Sequence, residues 1–213
     1  MKNAYSFDDV LLMPQYSDLS SRKEADLTSA LGDIRLSLPV IASPMDTVTE
    51  DRMAIELDRL GGIGIVHRYN SIEEQERLIH NCYTAGSRNI GAAIGVTGDF
   101  RKRAKTLVKA GANVICVDVA HGHHLMVKEC LQELKELFSG FVHIMAGNVA
   151  TLEAFDALAE WGADSIRVGI GGGSICSTRI QTGHGMPTLQ SVLECACIPP
   201  AVKNIKYIEA WRR

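Results

Sequence analysis

The sequence predicts an α/β fold of the TIM (β/α)8-barrel type, here incomplete, with about six strand–helix units. Three observations predict it. Short apolar runs alternate with amphipathic helical stretches from Pro39 onward. Glycines 61, 86, 111, 140 and 162 stand ahead of successive strands at intervals of 22 to 29 residues, the length of a βα unit. Polar residues gather after every strand rather than at one switch point, and the first βα turn lacks GxGxxG, which disfavours the open doubly wound sheet.

The strands fall at 40–43, 63–66, 90–94, 114–117, 142–146 and 165–168. Each is apolar at nearly consecutive positions, as a parallel strand buried on both faces must be. No antiparallel signal accompanies them. Thr49 is placed to cap a first helix beginning at Glu50-Asp51, with Met53, Leu57 and Leu60 inward and Gly61 at its end. Ser71 with Glu74 forms a capping box for the second. Phe100, Ala104, Leu107 and Val108 share one face of a third, ended by Gly111. Val127, Cys130, Leu131, Leu134 and Phe138 do the same in a fourth. Thr151 starts a fifth, with Leu152, Phe155, Leu158 and Ala159 inward.

Composition excludes several classes. At 213 residues, 46% hydrophobic and 22% charged, the chain has the balance of an ordinary globular protein rather than a disordered one. A net charge of −3 gives no footprint for nucleic acid or an anionic membrane. No apolar run reaches the roughly 18 residues that a membrane span needs. Asp8 and Asp9 stand where a secretory signal would be apolar. The six cysteines (82, 116, 130, 176, 195 and 197) include no CxxC, so most are expected as reduced, buried thiols in a cytoplasmic protein. His121, His123 and His124 lack the cysteine or carboxylate partners of a zinc site and are expected as solvated loop residues. Cys195 and Cys197 lack the context of a ligand or redox pair.

The stretch SIRVGIGGGSICSTR carries the chemistry. Ile166, Val168 and Ile170 run into Gly171, Gly172 and Gly173, and Cys176 follows among hydroxyls. Glycines admit close backbone approach and positive φ, so a soft nucleophile and backbone amides meet at one place. Arg167 lies inside an apolar strand, where a guanidinium needs a partner. On a barrel these residues share one rim with Ser43, Met45 and Asp46, with His67 and Arg68, with Asp118 and His121, and with Gly147 and Asn148.

The pieces YSFDDVLLMPQYS (5–17), LPVIASPMDTVTE (38–50), GGIGIVHRYNSIEEQ (61–75), DVAHGH (118–123), IMAGNVAT (144–151) and RVGIGGGSICSTRIQTGHGMP (167–187) resemble the inosine monophosphate dehydrogenase and guanosine monophosphate reductase family, in its order. The resemblance implies a purine nucleotide oxidoreductase in which Cys176 attacks C2 of the purine and hydride passes to or from NAD or NADP. It makes Thr178 a proton-relaying hydroxyl. Ser43, Met45, Asn148 and Ser174 become substrate-binding residues, with Ser174 at the phosphate. Asp118, Ala120, Arg167 and Gly169 become cofactor-binding residues. The carbonyls of Gly171, Gly173 and Cys176 become a potassium site. The expected partner is a purine nucleotide monophosphate, and full-length relatives imply a homo-oligomer, a tetramer.

The chain departs from that pattern in four ways. Gly172 replaces the family's usual proline. The regulatory insert near 67–76 is absent. The match ends near Ala196, so residues 1–196 are expected as a partial barrel and 197–213 as a tail outside the family, with Pro199-Pro200 opposing a continuous strand. A complete barrel takes about 250 residues, so the last two strands, half the phosphate cradle and the flap are expected to be missing and turnover weak or nil. FDDVLL, SPMDTVTE and AHGH resemble the dehydrogenases. The missing insert, the DVA triplet and LQSVLECA resemble the reductases. The dehydrogenase, using NAD, is the favoured activity, NADPH-dependent reduction the alternative, and a non-catalytic remnant or regulatory partner the third.

Overall fold

Strand β3 (Ile41–Ala42) begins a regular alternation that sets the architecture. It runs α1 (Asp51–Leu60), β4 (Ile63–Val66), α2 (Ile72–Thr84), β5 (Ile90–Ile94), α3 (Phe100–Ala110), β6 (Val114–Asp118) and α4 (Leu125–Phe138). Then follow β7 (His143–Val149), α5 (Leu152–Glu160), β8 (Ser165–Val168), α6 (Thr178–Thr182), α7 (Thr188–Ala196) and β9 (Lys206–Glu209). This computed structural model describes residues 3–196 and, in backbone only, 206–209. The strands pair in parallel in the order β3-β4-β5-β6-β7-β8-β9. The sheet is curled into an incomplete (β/α) barrel with its helices outside.

The six expected strand–helix units are present, and two further features were not expected. The parallel sheet has seven strands rather than six, because β9 pairs with β8 within the segment expected as an unrelated tail. Pro199-Pro200 and Cys197 lie outside the described residues. An antiparallel hairpin, β1 (Ser29–Leu31) with β2 (Ile34–Leu36), also precedes the barrel. Gly32, at φ +57°, makes its tight turn, and a Cβ there would fall 2.9 Å from His143 Nδ1. His143 is the first residue of β7, so the hairpin lies against the N-terminal ends of the strands.

Alternation along the strands divides the core into two layers. Val66, Ile94, Ile115, Val117, Ile144, Ile166 and Val168 face outward and pack with Leu78, Leu107, Leu131, Phe155 and Leu158 of the helices. Ile63, Ile65, Ala93, Val114, Cys116 and Met145 face inward and pack with Leu31 and Leu36 of the hairpin. The barrel interior is therefore filled and plugged at one end. Among the described residues, the polar strand ends lie at the other end.

The helices follow their predicted faces with one exception. All five expected inward residues of α4 are buried, and Thr151 caps α5 by accepting from Ala154 N. Ser71 accepts from Glu74 N at the start of α2. In α1 the N-cap is Glu50, not Thr49. The Thr49 side chain is buried and its hydroxyl donates to Ser43 O at 2.6 Å instead. Ala54 and Leu57 are the buried residues of α1, while Met53 and Leu60 are exposed.

Helix α1 packs so closely on β4 that only glycine fits at position 64. A Cβ there would fall 2.6 Å from Ala54 Cα and 2.9 Å from Ala54 Cβ. Gly64→Ala is expected to destabilise the protein by about 1–3 kcal/mol through overpacking. Urea unfolding monitored by circular dichroism measures this, and an unchanged midpoint would show that the helix yields freely.

Candidate active site

Beneath the open end of the barrel lies a buried ion pair. Asp118 ends β6, Arg167 sits on β8, and the two bond at 2.5 Å with side chains 6% and 3% exposed. Register explains how they meet across the intervening strand. Asp118 pairs with Gly147 of β7, and Gly147 pairs with Arg167. Gly147 has no side chain, and a Cβ there would fall 2.6 Å from that of Arg167. The guanidinium passes over the gap to reach the carboxylate, and also donates to Cys116 Sγ at 3.8 Å. Losing either charged partner would strand a buried charge, at a cost of about 3–5 kcal/mol.

The next residues up each strand form the rim. Asn148 donates through Nδ2 to Gly169 O at 2.9 Å, joining the ends of β7 and β8. Gly169 takes φ +127° and Gly171 φ +75°, conformations that favour glycine. The chain then folds back on itself. Met186 N donates to Ile170 O, Arg179 Nη1 to Gly171 O at 3.1 Å, and Cys176 N to Gly173 O at 3.1 Å. Cys176 stands at the turn and Thr178 opens α6.

A cavity of about 250 Å³ lies between this loop and the strand ends. Of the residues singled out in the sequence, Cys176, Thr178, Asn148, Asp118, Ala120, Gly169, Gly171 and Gly173 all line it. Arg167 does not line it and lies underneath, bound to Asp118. Ser174 faces a second cavity of about 700 Å³, which shares Gly171, Gly172 and Gly173 and is bounded by Phe7 and Thr188. Ser43 and Met45 line neither. Ser43 instead accepts from Thr49 and from Met45 N through its carbonyl. Arg68 and Tyr69 line the first cavity, although sequence reading put Arg68 only on the rim and did not single out Tyr69. Their position directly after β4 was the available signal.

The cysteines separate into two kinds. Burial pushes the Cys82, Cys116 and Cys130 thiols up to about 12 and the Cys195 thiol up to about 11. Those four are inert near neutral pH. Cys176 alone among the described cysteines is partly exposed and on the cavity. The three histidines form no metal centre. His124 caps α4, His123 tilts against Trp161, and no cluster of three or more metal-ligating side chains occurs among the described residues.

The site is also incomplete in hydrogen bonds. Asn148 Oδ1, Arg167 Nη2 and Arg68 Nε are buried there with no partner. Such atoms are costly unless a ligand or water satisfies them, so a polar ligand fits.

The family model for the IMP dehydrogenase / GMP reductase domain matches residues 4–208. The chain belongs to that family. Its relatives include an inosine-5′-monophosphate dehydrogenase of Cryptosporidium parvum, 37% identical over 235 residues, covering 91% of this chain and 58% of that one. Another, from Borreliella burgdorferi, is 32% identical and covers 91% of this chain and 60% of that one. A GMP reductase of Leishmania donovani is 29% identical over 325 residues, covering 90% of this chain and 66% of that one. The chain spans about six-tenths of the length of these relatives.

Two points of the sequence comparison change with these matches. The family match continues to residue 208, past Ala196 and through most of β9. The Leishmania reductase aligns over 325 residues, so it carries a long segment that this chain lacks, whereas the Cryptosporidium dehydrogenase aligns over 235. A missing insert therefore does not mark a reductase. Glycine at 172 has a local reason, since a Cβ there would fall 1.9 Å from Thr188 Oγ1.

Two of the three carbonyls expected at a potassium site already accept from protein donors. Gly171 O and Gly173 O each accept one hydrogen bond, and a carbonyl oxygen has two lone pairs. Backbone oxygens of this kind suit a large, weakly hydrated ion, which would share Gly171 O with Arg179. No helix among the described residues is long and apolar enough to cross a membrane.

Alkylation tests the reading of the thiols. At pH 8 iodoacetamide is expected to modify Cys176 at least about tenfold faster than Cys82, Cys116, Cys130 or Cys195, as read by peptide mapping. Comparable labelling of Cys116 or Cys130 would contradict it.

Proposed function

We propose that the protein is a purine nucleotide oxidoreductase whose favoured reaction is NAD-dependent oxidation of inosine 5′-monophosphate to xanthosine 5′-monophosphate. One observation carries the reading: the partly exposed Cys176 shares a cavity with Thr178, Asp118 and Asn148 on the open end of a family barrel. Identities of 37% and 32% to two dehydrogenases lean toward oxidation, while four other dehydrogenases at 28–29% stand level with the reductases at 29%.

The purine enters with C2 toward Cys176. The thiolate adds to that electron-poor carbon, forming an S–C2 bond, and the C2 hydrogen leaves with its electron pair as hydride. A bound nicotinamide dinucleotide supplies the acceptor for that hydride. Water then attacks C2, the C–S bond breaks, and xanthosine monophosphate departs with a proton released. The Thr178 hydroxyl, two residues from the sulfur, is placed to pass that proton. Asn148 and Asp118 orient the ligands, with Asp118 fixed by Arg167 below. Ser174, on the adjoining cavity, takes the nucleotide phosphate. The carbonyls of Gly171, Gly173 and Cys176 would hold potassium, whose charge would help order the loop that carries the sulfur.

The alternative reaction, reduction of guanosine monophosphate to inosine monophosphate by NADPH with release of ammonia, uses the same thiol and the same C2. Incubation with inosine monophosphate and NAD, or with guanosine monophosphate and NADPH, followed at the reduced-nicotinamide absorbance band, separates the two. Slow oxidation with the first pair is expected, with loss of at least about 10³-fold in Cys176→Ala, as for other covalent nucleophiles. Turnover that survives Cys176→Ala, or binding of nucleotide with no turnover in either pair, would overturn the proposal.

A further inference from the structure

Arg68 is a charged residue of the cavity that the scheme above leaves unused. It follows β4 at the strand end that opens onto the cavity, and lines it together with Tyr69. Its guanidinium carbon lies 5.3 Å from the centre of the Tyr69 ring. Gly95, just past β5, gives the side chain room, since a Cβ there would fall 3.3 Å from Arg68 Nη1. The arm is thus held by a ring on one side and bare backbone on another.

Its charge is not balanced by protein. No carboxylate among the described residues forms an ion pair with Arg68, and its Nε is buried with no hydrogen-bond partner. The one carboxylate lining the cavity is Asp118, already bound to Arg167. Glu50, the nearest acid in the sequence with a partner on this strand end, bonds His67 instead. The charge of Arg68 reaches the barrel interior, where it opposes the upward push of burial on the Cys116 thiol. The cavity therefore carries an excess positive charge on a planar, multidentate donor. A phosphoryl group matches such a fork in charge and geometry.

We infer that Arg68 binds a phosphoryl group of a nucleotide ligand in this cavity. The inference rests on the purine nucleotide reading above and adds a binding residue to it. The phosphoryl group has two sources, the pyrophosphate of the dinucleotide or the phosphate of the mononucleotide, which would then lie at Arg68 rather than at Ser174. Bound there, it accepts from Nε and from the outer nitrogens, completing the one buried donor of Arg68 that the fold leaves open.

Calorimetric titration with phosphate-bearing and phosphate-free pairs separates the sources. Wild type, Arg68→Gln and Arg68→Lys are each titrated with inosine monophosphate and inosine, then with NAD and nicotinamide riboside. Circular dichroism checks that each variant is folded. Arg68→Gln is expected to weaken one phosphate-bearing ligand by about tenfold or more while leaving its phosphate-free counterpart unchanged. Arg68→Lys is expected to restore part of that affinity, and added salt to narrow the gap between wild type and Arg68→Gln. Loss confined to inosine monophosphate assigns the substrate phosphate, and loss confined to NAD the dinucleotide. Equal loss within a pair, or no loss in either, overturns the inference while leaving the purine nucleotide reading intact. Wild type that binds none of the four ligands overturns both.

Discussion

The bond between Asp118 and Arg167 is the constraint on which the site depends. Both charges are almost fully buried, so neither is tolerable alone. Their contact requires β6, β7 and β8 to keep one register and requires no side chain at position 147. With that floor set, Asn148 and Gly169 emerge side by side and bond to each other. The glycine loop then starts from a defined point and carries Cys176 to the cavity. A buried ion pair of this kind adds little net stability. What it supplies is placement.

The chemistry divides along the same line between interior and rim. Below the pair, Met145, Cys116 and Ile65 fill the barrel and exclude water. Above it, unpaired polar atoms of Arg68, Asn148 and Arg167 wait for partners. The hairpin packs into the opposite end of the barrel, and Cys176 lines a cavity at the strand ends away from it. The remaining described thiols are kept protonated by burial. Selectivity among the five described cysteines thus follows from where the chain places them.

Much of this was legible in the residues. Strands buried on both faces are continuous apolar runs, so β4, β5 and β8 fell where the sequence put them. The helix faces of α3, α4 and α5 followed from spacing because one side of each meets the sheet. The hairpin was not legible, since three-residue strands carry no period and its leucines find their partners only in the closed barrel. Thr49 has the chemistry of a cap, but burial under Gly64 turned its hydroxyl to Ser43. The glycine–cysteine loop was readable as a local motif. Tyr69 follows β4 closely, which marks it for the rim, but no residue pattern distinguishes it there, and β9 was obscured by the prolines before it.

The chain covers about six-tenths of the length of its curated relatives, yet the thiol, its loop and its floor are all within it. The central claim is that Cys176 bonds covalently to the purine during turnover. Acid quench of the protein with inosine monophosphate and NAD, followed by intact-mass and peptide mass spectrometry, tests this most directly. The account predicts a nucleotide adduct on the peptide containing Cys176, dependent on NAD. An adduct on any other cysteine, or none on Cys176, would contradict it.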